Sequence, residues 1–333
     1  GAEGSIRIFP PREHCNSQGV NDMGVTPDHL PGYGSVTDSA ALSTLGSEWG
    51  VGSLQFSDNN PASNLFENCI NGTIKFLHIA GEDPVHSYYK GALVKNALNP
   101  VPFLVVPDVY MPDTARMADI VLPTTTFAEK EGTFTNMTRH VQRVTPATRP
   151  QGQSKTDHDI FVDLAETFGK PFVNTAVSEV QGEISRTVAS YKERLPGTNS
   201  KQWAPEGFTQ KSSFQISRPC VEREKKSGYP FQLVSNNHMF HIGSYTHYAK
   251  ALTDIGPDCI AELNPQDARE LNIDDGDRIV IESDAHKLEV QAKANPVTAK
   301  GMVYVPKNWV SIPLNLLRNG EEGPVSIKIS KAN

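Results

Sequence analysis

Short apolar runs alternate with segments of helical pattern between residues 61 and 122. The apolar runs lie at 74–80, 102–106 and 120–122, and the helical patterns lie at 62–69, 87–98 and 113–117. The apolar runs lack period-two alternation, which is typical of buried parallel strands with both faces covered. Alternating strands and helices therefore predict an α/β fold with a partial, doubly wound parallel sheet.

After residue 150 the pattern changes, first to helices and then to short strands. Apolar positions recur at helical spacing from Ile160 to Phe168 and predict an amphipathic helix over 157–168, and a second helix is predicted over 177–195. The predicted strands lie at 231–234, 278–282, 287–292 and 302–305, with a helix after the N-cap Asn264. Short strands at this spacing predict a compact barrel.

These changes of pattern predict three parts of the chain. A partial α/β domain covers 1–172, a helix with a polar linker or insertion covers 173–228, and a β-barrel domain covers 229–333. A chain of 333 residues is long enough to bury two cores of this kind.

Polar side chains are dense directly after the apolar run at 120–122. The residues of this loop that could contact a ligand are Thr124, Glu129, Gly132, Thr133, Asn136 and Arg139. Open α/β sheets bind ligands where strands end in such loops, so the stretch predicts a site for a polar ligand. The alternative is that these side chains only tie the loop to itself and to the neighbouring domain.

Two other predicted strands also end in polar residues. Gly81 and Asp83 follow the run at 74–80, and Asp108 follows the run at 102–106. Asp108 could accept hydrogen bonds from a sugar or a base, and its alternative role is a cap or turn. The densest histidine group, around His241, has no neighbouring carboxylates or thiolates at the spacing of a metal site, so no metal is predicted.

Composition and charge narrow the classes of function. A formal net charge of -7 argues against a nucleic-acid binder, which needs a basic surface. No apolar run approaches the roughly 20 residues that cross a bilayer, so no membrane span is predicted. The 4 cysteines lack the close spacing of zinc or iron–sulfur sites and are predicted to be unpaired.

Four segments, in order along the chain, resemble the molybdopterin oxidoreductase superfamily. They are NSQGVNDMG at 16–24 followed by PGY, GEDP at 81–84, ADIVLP with AEKEGTFTN and RHVQR between 118 and 143, and the stretch 233–309 with HIGSYT and VYVPKNW. The resemblance implies a formate dehydrogenase-like α/β domain followed by a six-stranded double-psi β-barrel. It further implies that a pterin-dinucleotide cleft is lined by the strand-end and loop residues above and by His241, Gly243, Ser244, Thr246 and Asn308.

The chain departs from the family pattern at two points. Asp83 stands where the family usually has Asn, and Asn236-Asn237 stand where catalytic members often carry Gly-Arg. The form of HIGSYT and the tail from Ile312 are more similar to the large iron–sulfur subunit of NADH:quinone oxidoreductase (complex I). The resemblance therefore implies an inherited cleft that holds no cofactor in this chain.

The leading hypothesis is a C-terminal fragment of such a complex I subunit, which acts as a scaffold for electron transfer and is inactive alone. Iron–sulfur clusters would then lie in a missing N-terminal part, and the partners would be other subunits of a respiratory complex on the cytoplasmic side of the inner membrane. The alternative is a fragment of a catalytic enzyme such as formate dehydrogenase, which would bind molybdopterin guanine dinucleotide. A third hypothesis is a standalone module that binds a guanine nucleotide.

Overall fold

A computed structural model describes residues 14–52, 54, 64–88, 91–192, 226–241, 243–256, 258–318 and 324–332. The α-helices are α1 Ser17–Asp22, α2 Ser39–Glu48, α3 Leu65–Ile70, α4 Pro84–Ser87, α5 Gly91–Leu98, α6 Asp113–Arg116, α7 Asp157–Thr167, α8 Val177–Thr187, α9 Lys250–Thr253 and α10 Pro265–Glu270. Short 3-10 helices lie at Pro31–Tyr33, Ala189–Tyr191, Ser244–Tyr248 and Leu314–Leu317. The predicted linker at 196–228 lies largely outside the described residues.

The strands in chain order are β1 Leu77–His78, β2 Leu104–Asp108, β3 Ile120–Pro123, β4 Gly132–Thr135, β5 Val141–Val144, β6 Phe231–Val234, β7 Ile260–Leu263, β8 Arg278–Glu282, β9 Lys287–Ala294, β10 Met302–Tyr304 and β11 Val325–Lys331. They form a three-stranded sheet, a two-stranded hairpin and a closed barrel. None of the helices within the described ranges has the length and apolar composition needed to span a bilayer.

The chain packs into two compact units, each built from two separate stretches of sequence. Unit 1 combines Gly1–Leu65 with Pro123–Gln215, and unit 2 combines Phe66–Leu122 with Ile216–Asn333. The division at 172 and 228 is a division along the sequence, and as a domain assignment it stays a prediction.

The three-stranded sheet of unit 2 has the order β1-β2-β3. β1 and β2 run parallel, with Leu77 opposite Leu104, and β2 is buried along its whole length. The predicted strand at 74–80 shortens to two residues. The prediction that 120–122 is buried was wrong, because β3 lies at the edge of this sheet and Ile120 is 41% exposed.

The barrel of unit 2 closes in the order β10-β6-β11-β8-β9-β7. Alternate side chains of its strands point inward, so that Leu233, Ile279, Ile281 and Ile327 are buried in one apolar core. Asn264 caps α10 as predicted, since its side chain accepts a hydrogen bond from Gln266 N at 2.9 Å. The predicted α/β fold with a parallel sheet and a six-stranded barrel is confirmed.

The barrel and the sheet of unit 2 are joined by a close contact at α5. The Asn315 side-chain nitrogen donates to the carbonyl oxygens of Val85 and Tyr88, each at 3.1 Å. A Cβ atom on Gly91 would lie 2.1 Å from the same nitrogen, so this approach requires a glycine. The contact fixes the strand ends of the sheet beside the barrel.

Unit 1 contains the hairpin β4–β5 and the helices α1, α2, α7 and α8. Part of the predicted polar loop after residue 122 is this hairpin, in which Gly132 pairs with Val144. The apolar face predicted for α7 is only partly covered, because Ile160 is buried while Phe168 is 76% exposed. Asp22 forms a buried polar contact in this unit, described below.

Candidate functional site

The carboxyl ends of β1 and β2 bring three predicted site residues together in unit 2. Gly81 follows β1 with a φ of 62°, in the left-handed region, and its N–H donates to Pro107 O at 3.0 Å. Asp83 is buried, and its Oδ1 accepts hydrogen bonds from the Thr114 hydroxyl at 2.6 Å and the Thr114 N–H at 3.1 Å. One oxygen of Asp83 is therefore held by α6.

Asp108 is the last residue of β2, and one of its carboxylate oxygens is a buried polar atom without a partner among the described residues. Its side chain is 2% exposed, and Oδ1 accepts from Tyr110 N at 3.0 Å. Its Oδ2 is buried and has no well-formed hydrogen bond among the described residues. Burial raises the pKa of the Asp108 carboxyl and Asp83 adds to the effect, while nearby N–H groups and the Tyr245 hydroxyl oppose it.

Three tyrosines border these strand ends. The rings of Tyr110 and Tyr248 stack with centroids 4.3 Å apart and planes within 10°. Tyr245 lies in the 3-10 helix Ser244–Tyr248, and its ring centroid is 5.7 Å from that of Tyr110. The three rings form a partly exposed aromatic surface next to the buried carboxylates. We call Gly81, Asp83, Asp108 and these tyrosines the strand-end cleft.

The predicted residues of the barrel domain form one hydrogen-bonded group around His241. The His241 ring is fully buried, with Nε2 2.8 Å from Asn308 O and Nδ1 2.8 Å from Thr246 Oγ1. Asn308 has a left-handed φ of 78° and donates from Nδ2 to Asn237 Oδ1 at 2.6 Å. The group thus holds the backbone of Gly243 and the helix that begins at Ser244.

His241 is held neutral in this group. Burial lowers the pKa of His241, the hydrogen bond with Asn308 O opposes this, and the nearby His247, His86 and His238 lower the pKa further. Asn308 O can only accept, so a neutral His241 donates from Nε2 and its Nδ1 is an acceptor. The one proton of the Thr246 hydroxyl is shared between this Nδ1 at 2.8 Å and Gly243 O at 2.7 Å. Within the described ranges, no group of three histidine, cysteine or acidic side chains has the arrangement of a metal site.

In unit 1, Glu129 and Asn136 are engaged by their own loop. The two carboxylate oxygens of Glu129 accept from Thr126 N at 2.8 Å and Gln151 N at 3.0 Å. These N–H groups lower the pKa of Glu129. Asn136 Oδ1 accepts from Thr138 and from His140 N, which closes the turn of the hairpin. Both side chains thus make the kind of contact expected if the loop were tied to itself.

Arg139 belongs to a buried polar group that sequence reasoning missed. Its guanidinium lies 3.4 Å from Asp22 Oδ1, and its own φ is 65°, an uncommon value for a non-glycine residue. Asp22 also accepts from the hydroxyls of Tyr33 at 2.7 Å and Tyr191 at 2.9 Å, and from Gln18 at 2.6 Å. We call these five residues the Asp22 cluster, which links α1 to the hairpin and to the Ala189–Tyr191 helix.

The remaining unit 1 candidates lie on β4 and directly after β3. Thr124 pairs through its backbone with Lys155, and Gly132 begins β4. Thr133 lines a cavity of about 200 Å³ whose walls include Val20, Met23 and Ile184. The structure thus groups Gly81, Asp83 and Asp108 in unit 2 and groups His241 with Gly243, Ser244, Thr246 and Asn308 in the same unit. The other candidates lie in unit 1.

Two protein-family models match this chain. Residues 12–167 match the molybdopterin oxidoreductase model, and residues 231–329 match the molydopterin dinucleotide binding domain. The second match overturns the expectation that this chain holds no cofactor. That prediction was wrong because it relied on two departures, Asp83 and Asn236-Asn237, while the barrel that characterises the binding domain is complete.

The strand-end cleft fits the nucleotide part of such a cofactor in two respects. Asp108 Oδ2 is an acceptor without a well-formed hydrogen bond in the described structure, and the edge of a guanine base carries N–H donors. The stacked rings of Tyr110 and Tyr248 offer a flat apolar face next to it. The chemistry of the donor and acceptor groups therefore agrees with the family match.

The curated relatives include several oxidoreductases. The chain is 31% identical to a putative formate dehydrogenase of Staphylococcus haemolyticus, with 96% of this chain and 34% of the relative covered. It is 29% identical to an NADH-quinone oxidoreductase subunit of Rhizobium meliloti, with 99% and 38% covered. It is 32% identical to the F420-dependent formate dehydrogenase subunit alpha of Methanocaldococcus jannaschii, with 96% and 50% covered. The chain thus spans half or less of the length of these relatives.

A solved structure with a similar fold is acetylene hydratase from Pelobacter acetylenicus. It superimposes with a TM-score of 0.59 at 16% identity and covers 88% of this chain and 50% of that chain. At this identity the likeness concerns the fold alone, and it agrees with the sheet and the barrel described above. The two family models together match more than half of the chain, and the curated relatives cover nearly all of it. The chain belongs to the molybdopterin oxidoreductase family.

Proposed function

We propose that this chain binds a molybdopterin dinucleotide as part of an oxidoreductase subunit, and that the strand-end cleft of unit 2 holds the nucleotide end. The observation that carries the proposal is the state of the Asp108 side chain. Asp108 is the last residue of the fully buried strand β2, and its buried Oδ2 has no well-formed hydrogen bond among the described residues. A buried acceptor of this kind is costly unless a ligand or water supplies a donor. Guanine supplies such donors at its N1 and N2 positions.

The chain's own residues bind and orient the cofactor. Asp108 accepts from the base, and Gly81 leaves the backbone next to it free of a side chain. The neutral His241 fixes Thr246 and Asn308 so that their polar groups keep one arrangement. When bound, the cofactor supplies the two-electron redox chemistry, which the protein positions.

Unit 1 is considered by itself. Glu129, Asn136 and Arg139 stabilise its hairpin through the bonds described above. Replacing any of these three residues is expected to lower the stability of unit 1.

Of the possible parent enzymes, we favour an NADH:quinone oxidoreductase, in which this chain would belong to the large iron–sulfur subunit. The carboxylate at Asp83 and the amides at Asn236-Asn237, where catalytic family members often carry Asn and Gly-Arg, support this choice. The relative from Rhizobium meliloti is named as a subunit of such an enzyme and matches 99% of the chain. The partners would be the other subunits of a respiratory complex on the cytoplasmic side of the inner membrane.

A formate dehydrogenase is the second candidate, because relatives with that name reach 31% and 32% identity. The two candidates are separated by assaying the natural full-length protein for electron transfer from NADH to a quinone and for formate oxidation. Activity with NADH and quinone alone supports the first candidate. Formate oxidation without NADH:quinone activity contradicts it and supports the second.

The nucleotide site is tested separately by calorimetric titration of the whole chain with GDP. We expect binding that Asp108→Asn weakens by roughly tenfold or more, since an amide nitrogen would then face the donors of the base. Asp258→Asn is the matched control, an exposed aspartate in the same unit. No heat of binding with millimolar GDP would refute the site.

A further inference from the structure

Within the strand-end cleft, the Tyr245 hydroxyl lies close to both Gly81 and Asp108. The hydroxyl is 3.3 Å from the position that a Cβ atom on Gly81 would take. The same hydroxyl is close enough to Asp108 to lower the pKa of that carboxyl by hydrogen bonding. The side chain thus reaches from the barrel to the carboxyl ends of both β1 and β2.

The position of Tyr245 is not explained by packing alone. The residue is 40% exposed, and its ring makes a tilted contact with Tyr110 rather than entering the barrel core. A half-exposed side chain on a short 3-10 helix can change its rotamer without disturbing that core. A tyrosine hydroxyl is also a donor, which is the group that Asp108 requires.

We propose that Tyr245 is a specificity-determining residue: its hydroxyl occupies the place of a ligand donor beside Asp108, and a nucleotide binds by displacing it. The inference rests on the proposed nucleotide site and adds the residue that controls entry to it.

Displacement makes the site selective for bases that bring their own donors. When the Tyr245 hydroxyl leaves, Asp108 loses a donor in a buried setting, and the ligand must replace it. A guanine base does so through N1–H and N2–H. At the corresponding edge, adenine presents the acceptor N1 with no 2-amino group, so it leaves the carboxylate unpaired. The site therefore distinguishes guanine from adenine, because only guanine replaces the hydrogen bond that Asp108 loses when the Tyr245 hydroxyl is displaced.

Tyr245→Phe is the variant that tests this proposal, because it removes the hydroxyl and keeps the ring. With no hydrogen bond to break, GDP should bind about tenfold more tightly than to the wild-type chain. ADP should remain at least tenfold weaker than GDP in both chains. Tyr304→Phe is the matched control, because Tyr304 lies in barrel strand β10 of the same unit and outside the strand-end cleft.

A second measurement needs no nucleotide. In the ligand-free chain, a carbon-13 NMR titration should show a higher pKa for Asp108 in Tyr245→Phe than in wild type, because the hydroxyl that lowers it is gone. An unchanged pKa would overturn the contact. GDP binding with equal affinity to wild type and Tyr245→Phe would overturn the displacement while leaving the nucleotide site intact. No GDP binding to any variant would refute the proposed site and the displacement together.

Discussion

Replacing Asp22 with alanine is expected to destabilise unit 1 strongly. Asp22 is buried and accepts hydrogen bonds from three neutral side chains, at 2.6 Å from Gln18, 2.7 Å from Tyr33 and 2.9 Å from Tyr191, with Arg139 at 3.4 Å. Asp22→Ala removes both acceptor oxygens at once, including the one that lies 3.4 Å from the Arg139 guanidinium. The change therefore acts on the contact that joins α1, the hairpin and the Ala189–Tyr191 helix.

The magnitude follows from how well each donor can find a new partner. Tyr33 is 37% exposed, so water can replace its bond, and the Tyr191 hydroxyl keeps its 2.7 Å contact with Thr135. A hydrogen bond to a charged group contributes about 1.5–3 kcal/mol, and breaking a buried ion pair costs about 3–5 kcal/mol. Bonds in one network do not add, so we expect a loss of about 3–5 kcal/mol in the free energy of unfolding.

Urea unfolding, followed by tryptophan fluorescence, measures this loss. Asp22→Asn keeps one acceptor oxygen and should lose about half as much, while Glu166→Ala, at an exposed position of α7, should change the free energy of unfolding by less than about 0.5 kcal/mol. If Asp22→Ala lowered the free energy of unfolding by less than about 1 kcal/mol, the Asp22 cluster would not be what stabilises unit 1. An equal loss in Asp22→Ala and Glu166→Ala would lead to the same conclusion.

Three further predictions concern unit 2 and its packing. Asp108→Asn should raise stability at neutral pH, because burial raises the folded-state pKa of this carboxyl and disfavours its charged form. The gain in stability should vanish as the pH falls to about 4, and urea unfolding midpoints at both pH values measure it. The wild type should lose stability as the pH falls below about 6.5, because the lowered folded-state pKa of His241 makes protonation favour the unfolded chain. His241→Gln should not show this loss, and thermal unfolding between pH 7 and 5 measures the difference. Gly91→Ala should cost about 1–3 kcal/mol in urea unfolding, because its Cβ would meet the Asn315 side chain at 2.1 Å, whereas Gly132→Ala meets nothing within 4 Å and should cost far less.

The barrel could be predicted well where its strands alternate. The predicted strands at 231–234 and 278–282 agree with β6 and β8 to the residue, and their buried residues Leu233, Ile279 and Ile281 alternate with less buried ones. β7 was not predicted, although it has four residues as β6 does. β11 alternates too, but its pattern was overlooked, so that the count of six strands depended on the family resemblance.

The parallel sheet was predicted in kind but less accurately in extent. β1 keeps only two residues of the run at 74–80, and β3 is an exposed edge although its residues are as apolar as those of β2. An apolar run shows that a strand suits burial, but it does not show which neighbours cover it. That depends on contacts between residues far apart in the sequence.

The site residues were predicted where a strand end made them visible. Gly81, Asp83 and Asp108 follow apolar runs directly, and the structure brings them to one edge of the sheet. The Asp22 cluster was not predicted, because Asp22 and Tyr191 are 169 residues apart and no local pattern connects them. Tyr245 was missed for a similar reason, since its contact with the strand ends arises only when the barrel packs against the sheet.

The contents of the natural full-length protein show whether this chain holds a molybdopterin dinucleotide. After purification without added cofactor, molybdenum is measured by mass spectrometry, released pterin by fluorescence and released nucleotide by chromatography. We expect pterin and guanine nucleotide in stoichiometric amounts with the protein, and loss of both in an Asp108→Asn variant that remains folded. A folded, purified wild-type protein with neither pterin nor nucleotide would show that the chain does not hold the cofactor.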